Sequence, residues 1–179
     1  MQIGTRLMTV DEFRQLNLPE HYPYELRDGE LVEMTWPKMR HSRVQHRLSE
    51  LLRPIAAEYG DVWVEFPFRP TPEYNLRAAD VAIVSFDRLN ATDPEDNLHG
   101  APDVIIEVES PSNTAAEFDE KESICLANGC KEFWIVYPKR KVVRVATAET
   151  VKRYQQGETI PLSLFPGRSI AVSDIFAVR

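Results

Sequence analysis

From Ala101 to Pro111 the chain reads Ala101-Pro102-Asp103-Val104-Ile105-Ile106-Glu107-Val108-Glu109-Ser110-Pro111, an apolar run that carries acids at intervals of two toward its end. Side chains alternate faces along a strand, so Val104, Ile106 and Val108 point one way while Asp103, Ile105, Glu107 and Glu109 point the other. Two carboxylates therefore emerge side by side where a buried strand finishes. Holding unpaired acids beside a core costs several kcal/mol or raises their pKa unless a cation or a hydrogen-bond donor compensates. A positive group is expected opposite them.

The 179 residues, 43% hydrophobic and 27% charged, are enough for one substantial core, and a single domain over residues 1–179 is expected. No apolar run approaches the roughly 18 residues of a membrane-spanning helix, and no basic segment followed by an apolar one opens the chain. A cytoplasmic protein without membrane contact is the expectation. Cys125 and Cys130 stand five apart, outside any Cys-x-x-Cys pattern, and are assigned neither a disulfide nor zinc. A net charge of −7 works against nucleic-acid binding on average, since phosphate affinity comes from Lys and Arg. It leaves room for a local basic groove or a metal-bridged contact.

Along the chain, Thr9 with Glu12 makes a capping box before a short helix that Pro19 ends. Tyr24 to Met34 reads as two strands about the Asp28-Gly29 turn, with Glu25 on the first. From His41 to Tyr59, Val44, Leu48, Leu51, Leu52, Ile55 and Ala56 form the stripe of an amphipathic helix, with Pro54 inside it and Gly60 stopping it. Val62 to Phe66 has strand composition, and the Pro-rich stretch from Pro67 to Asn75 reads as a turn. Leu76 to Val84 is a second buried strand, on which Asp80 is expected to share a face with Ala82 and Val84. Asp87 to Gly100 reads as a loop and a candidate flexible flap. Ser112, Asn113 and Thr114 offer N-caps to a helix that carries Lys121 and closes at Gly129. Phe133 to Tyr137 and Val142 to Val145 follow as a strand pair, then short antiparallel pieces and a closing segment at Asp174-Ile175-Phe176.

A strand with Asp80, a loop, a strand with Glu107 and Glu109, and a helix with Lys121 can assemble a hydrolytic metal site. One Asp and one Glu hold Mg²⁺ through hard oxygens while leaving water positions open, and such an ion activates water against a phosphodiester. A nearby lysine orients that water or offsets transition-state charge. Placement alone leaves plainer readings open. Asp80 and Glu107 can pair with arginines such as Arg77, and Glu25 with another. Lys121, among Glu117, Asp119, Glu120 and Glu122, can be an exposed helix lysine, and Glu109 can face solvent. His41 is as readily a first-turn helix residue; it lies five from His46, so the two do not form a metal pair. Trp63 and Trp134 read as core.

The order of these motifs resembles the Uma-two family of restriction endonucleases within the PD-(D/E)XK nuclease superfamily. The resemblance spans nearly the whole chain. It rests on Tyr24-Glu25-Leu26-Arg27-Asp28-Gly29-Glu30, His41, Ala79-Asp80-Val81, Pro102 to Ser112, Lys121, and Gly129 with Glu132 to Val136. It implies an α/β (α+β) fold, a restriction-endonuclease-like mixed sheet flanked by helices, here with extra antiparallel C-terminal strands. It also implies hydrolysis of DNA with Mg²⁺ or Mn²⁺. Asp80 matches the metal-binding Asp, Glu107 the second acid, and the Val108 carbonyl a further ligand. Glu109 occupies the usual lysine position, where it either tightens metal binding or weakens the approach of a phosphate; Lys121 then supplies the charge from the following helix, as catalytic base or charge stabiliser. Glu25 becomes an additional acid and His41 a phosphate or water contact. Ala79 replaces a proline and Cys125 an aromatic of the family pattern. A homodimer with two symmetry-related sites suits cutting of both strands. Two other readings stand beside the nuclease: a catalytically silent module that binds nucleic acid or protein, and a metal-dependent hydrolase of another phosphate ester.

Overall fold

The computed structural model describes residues 6–19, 23–111 and 113–177, so Ser112 lies outside the described residues. Its strands are β1 (Tyr24–Arg27), β2 (Glu30–Glu33), β3 (Gly60–Arg69), β4 (Arg77–Ser85), β5 (Leu98–His99), β6 (Val104–Val108), β7 (Glu132–Tyr137), β8 (Val142–Ala146), β9 (Val151–Gln155), β10 (Thr159–Pro161) and β11 (Ser169–Ala171). Its helices are α1 (Val10–Arg14), α2 (Met39–Ala56), α3 (Phe86–Ala91), α4 (Ala115–Ala127) and α5 (Val172–Phe176). The acid-edged run is β6, and every one of its residues is buried.

The main sheet has the order β5-β3-β4-β6-β7-β8-β9. Pairs β3/β5 and β6/β7 are parallel, and the other neighbours are antiparallel. Val104, Ile106 and Val108 pack with Val44, Leu48 and Leu52 of α2 and with Ile175 of α5, over one face. Ile105 packs with Phe118 and Cys125 of α4 on the other. The alternation read from β6 is thus the division between two cores. Each buried leucine of α2 contributes about 1.5–3 kcal/mol through removal from water.

Local chemistry explains the element ends. Thr9 and Thr114 each form a capping box, with Glu12 and Glu117. Asp28 (φ 47°) and Gly29 (φ 78°) take the left-handed conformations that a two-residue hairpin turn between β1 and β2 requires. Gly60 begins β3 because a Cβ there would sit 2.0 Å from the Val84 carbonyl oxygen.

Several expectations fail for tertiary reasons. The stretch Asp87 to Gly100 is not a loop or flap: it begins inside α3 and contains β5, whose Leu98 is buried beside Phe68. Asp96 anchors it through Arg69 at 3.1 Å and His99 at 2.9 Å. β3 runs on through Pro67 to Arg69 where a turn was expected, because β5 pairs only with Phe68 and Arg69 and Pro67 forfeits no ladder bond on that side. Trp63 is 42% exposed rather than core, its ring tilted at 45° against that of Phe66 on the same strand, while Trp134 is fully buried. The closing segment expected at Asp174 to Phe176 is present, as the end of α5.

Candidate active site

The β4–β6 ladder pairs Val81 with Ile106, Ala82 with Ile105 and Ile83 with Val104, and stops there. Beyond it the carboxylate of Asp80 fills the space between the strands, with Oδ2 accepting from the Val108 N–H at 2.6 Å. In an extended strand a residue's N–H and C=O point to the same side, so the Val108 carbonyl also faces this gap. Asp80 does not join Ala82 and Val84, which pack toward α4; its Oδ1 turns to α2, 3.1 Å from His41 Nε2 and 3.1 Å from Gln45 Nε2. His41 and Gln45 lie four apart on α2 and so share its face.

The other ladder of β4 is interrupted at the same level. Val64 pairs with Val81 and Phe66 with Ala79, while Glu65 sits between them at φ 53°. Such a conformation costs a non-glycine residue on the order of 1–3 kcal/mol and is retained where surroundings enforce it. Here Gln45 Nε2 donates to the Glu65 carboxylate as well as to Asp80. Ligand-type atoms of His41, Glu65 and Asp80 all lie within 4.8 Å of one another. Partial burial raises the pKa of the Glu65 carboxyl, and the like charge of Asp80 adds to that. Burial disfavours the His41 imidazolium, but Asp80, Glu65 and Glu107 outweigh it and raise its pKa.

On the opposite face Glu107 is 7% exposed and meets Lys121, which is equally enclosed. The ammonium lies 2.9 Å from Glu107 Oε1 and donates to the Ala78 carbonyl at 2.7 Å. Glu107 Oε1 nonetheless accepts no hydrogen bond of proper angle. Burial pushes the Glu107 carboxyl up to about 7 against the pull of Lys121, and the charge of Asp80 pushes the same way. Lys121 stays an ammonium, since its carboxylate neighbours outweigh its own burial. Glu25 stands 4.0 Å from Lys121, accepts from the Ala78 N–H at 2.9 Å and pairs with Arg27 at 2.9 Å. Burial opposes its ionisation, but Lys121, that N–H and Arg27 prevail and lower its pKa.

The structure thus brings Asp80, His41 and the Val108 backbone together, with Glu107, Lys121 and Glu25 adjoining them closely enough that the charge of Asp80 acts on both Glu107 and Lys121. Glu109 is half-buried, its N–H bonded to the Val136 carbonyl at 2.8 Å, and stands outside the close group of ligand atoms. Sequence reasoning missed Glu65 and Gln45. The available signal was an acid inside the strand-like run Val62-Trp63-Val64-Glu65-Phe66; on α2, Gln45 is a polar residue four after His41. Carboxylate and imidazole donors beside the buried Glu107 carboxylate, whose Oε1 is met by the Lys121 ammonium alone among the described residues, suit a hard divalent cation.

Residues 10–173 match the Uma2 family, described as "Putative restriction endonuclease". A crystal structure of a "putative nuclease belonging to DUF820" from Anabaena variabilis superposes with a TM-score of 0.80, covering 94% of this chain and 97% of that one at 18% identity. No curated protein sequence matches the chain. With the match running over most of its length, on a mixed sheet of restriction-endonuclease-like architecture, the chain belongs to the Uma2 family.

Proposed function

We propose that the protein is a DNA endonuclease dependent on Mg²⁺ or Mn²⁺. The observation that carries this reading is the meeting of Asp80 with His41, Glu65 and the Val108 backbone at the point where β4 and β6 part, with the buried Glu107–Lys121 pair behind it. Asp80, Glu107 and the Val108 carbonyl are the residues to hold the ion, with Glu65 or Glu109 as the further acid. When bound, the ion supplies Lewis-acid polarisation and a more acidic water. Lys121 acts as charge stabiliser rather than base, because an ammonium that donates to a carbonyl and contacts a carboxylate keeps its proton. Its charge offsets the negative charge that builds on the phosphorus oxygens as water attacks. Glu25 holds Lys121 in place, and His41 orients Asp80 and reaches the phosphate or the water. The same reading takes residues 1–179 as one domain acting as a homodimer in the cytoplasm.

Calorimetric titration of Mn²⁺ and Mg²⁺ into wild type and Asp80→Ala, followed by plasmid incubation of the same samples, tests it. Binding and nicking are expected from wild type, with both lost in the variant. Cleavage that survives in Asp80→Asn sinks the assignment. A second reading, a silent interaction module, is favoured by Glu109 at the usual lysine position and by the net charge of −7. DNA binding in EDTA with no cleavage under any divalent ion selects it.

A further inference from the structure

Resting on the nuclease reading and extending it to how substrate is held, we propose that the cleft between the start of α2 and the β7–β8 turn binds the phosphate backbone of nucleic acid. Arg40, Arg43, Lys139 and Lys141 line this cleft of about 440 Å³, over a floor of Val44, Pro138 and Phe176. No carboxylate is among its lining residues. In a chain with 28 acidic and 21 basic residues, four cations gathered without an acid are a local reversal of sign. None of the four forms an ion pair with a described residue, whereas Arg27, Arg77, Arg88 and Arg144 all do. Their charge is unspent within the fold.

The start of α2 carries the same charge pattern. Its N-cap is Lys38, without a side-chain cap bond, and its first turn holds no acid. Helices α1 and α4 instead have capping boxes and acids in the first turn. Cations at the positive end of a helix are opposed by its dipole, and an anion seated there relieves both.

Position selects the ligand. Arg40 and Val44 directly precede His41 and Gln45, the pair that contacts Asp80, so the cleft and the candidate site lie on the same turns of α2, about 100° apart around its axis. The other wall follows β7, which runs parallel to β6 with Val136 opposite Val108. Pro138 and Lys139 therefore leave the sheet at the end where Asp80 meets the Val108 N–H. A polyanion crossing this cleft leads directly to the residues proposed to break a phosphodiester, and a nucleic-acid strand is the polyanion that contains one.

Fluorescence anisotropy in EDTA, with a short labelled duplex and its single strand, tests the cleft apart from cleavage. Four phosphate contacts give a slope of about −3.6 for log affinity against log salt on duplex DNA. The double variants Lys139→Ala with Lys141→Ala, and Arg40→Ala with Arg43→Ala, are each expected to weaken binding on the order of tenfold and to reduce that slope by about 2. Their melting temperatures should match wild type, since the four side chains are exposed and unpaired. Wild-type affinity and slope in both variants overturn the cleft, as does wild-type binding to phosphatidylserine vesicles with none to DNA. Plasmid cleavage with Mn²⁺ separates the two readings. Cutting by wild type, with binding intact in the variants, removes the cleft and keeps the nuclease. Binding lost in the variants, with no cutting by wild type, supports the cleft and removes the nuclease.

Discussion

Glu107 and Glu132 are both buried acids on neighbouring parallel strands, yet the fold treats them in opposite ways. Around Glu132 every need of a carboxylate is met by neutral donors: Trp134 Nε1 at 2.9 Å, the Ser163 N–H at 2.6 Å, the Leu164 N–H at 3.2 Å and the Ser163 hydroxyl. It ties β7 to the segment after β10 and leaves nothing over for a ligand. Among the described residues Glu107 has one cationic partner, Lys121, with the like charges of Asp80 and Glu25 nearby, and its Oε1 accepts no hydrogen bond from a neutral donor. A buried acid with its valence filled holds a structure together. One left short is ready for a partner from outside.

The contrast is sharpest in substitution. Glu132→Ala strands three N–H donors and a hydroxyl, which should cost about 3–5 kcal/mol and lower the melting temperature by about 10 °C. A melting curve within a degree or two of wild type would remove the structural role given to Glu132. Glu107→Gln keeps the side-chain volume and leaves Lys121 the counter-charge of Glu25, so it should lower the melting temperature less than Glu132→Ala does, while metal-dependent cleavage falls by about 10²–10³. Full activity in that variant, measured on plasmid at saturating Mn²⁺, would put the two acids in one class.

Asp103, at the opposite end of β6 from Glu107, supplies the smallest test. Burial raises its pKa, but the Ser85 N–H at 2.9 Å, Arg88 and Lys131 outweigh that and hold it below the usual carboxylate range. A group with a depressed folded pKa stabilises above its unfolded value, about 3.9, and loses that contribution as pH falls through the folded one. Asp103→Asn should therefore be about 1 kcal/mol less stable than wild type at pH 7, with the gap closing below pH ~4. A gap that stays constant into acid would show that the charge of Asp103 does not contribute.

Much of the framework was legible because it is written in short-range chemistry. The faces of β6, the capping boxes at Thr9 and Thr114, the Asp28-Gly29 hairpin and the stripe of α2 each depend on residues within a turn or two of one another. Periodicity and turn preference act at that distance. The short helix and two-residue strand within 87–100 were not legible, because β5 exists only where β3 offers it an edge. Trp63 was misplaced for a related reason: strand composition says that one face is covered, and packing decides which.

The site divides along the same line. Acids at Asp80, Glu107 and Glu109 and a lysine at 121 are visible in the residue order, and strand alternation places Glu107 opposite the face of Val108. Whether Lys121 is a solvated helix lysine or the buried neighbour of Glu107 depends on α4 packing against the sheet. The approach of Glu65 to Asp80 depends on the register of β3 with β4 and on one left-handed residue inside a strand. Neither is a local preference. Sequence pattern specifies which residues line each face over a few ångströms; pairing and packing, which join residues tens of positions apart, decide which of them meet.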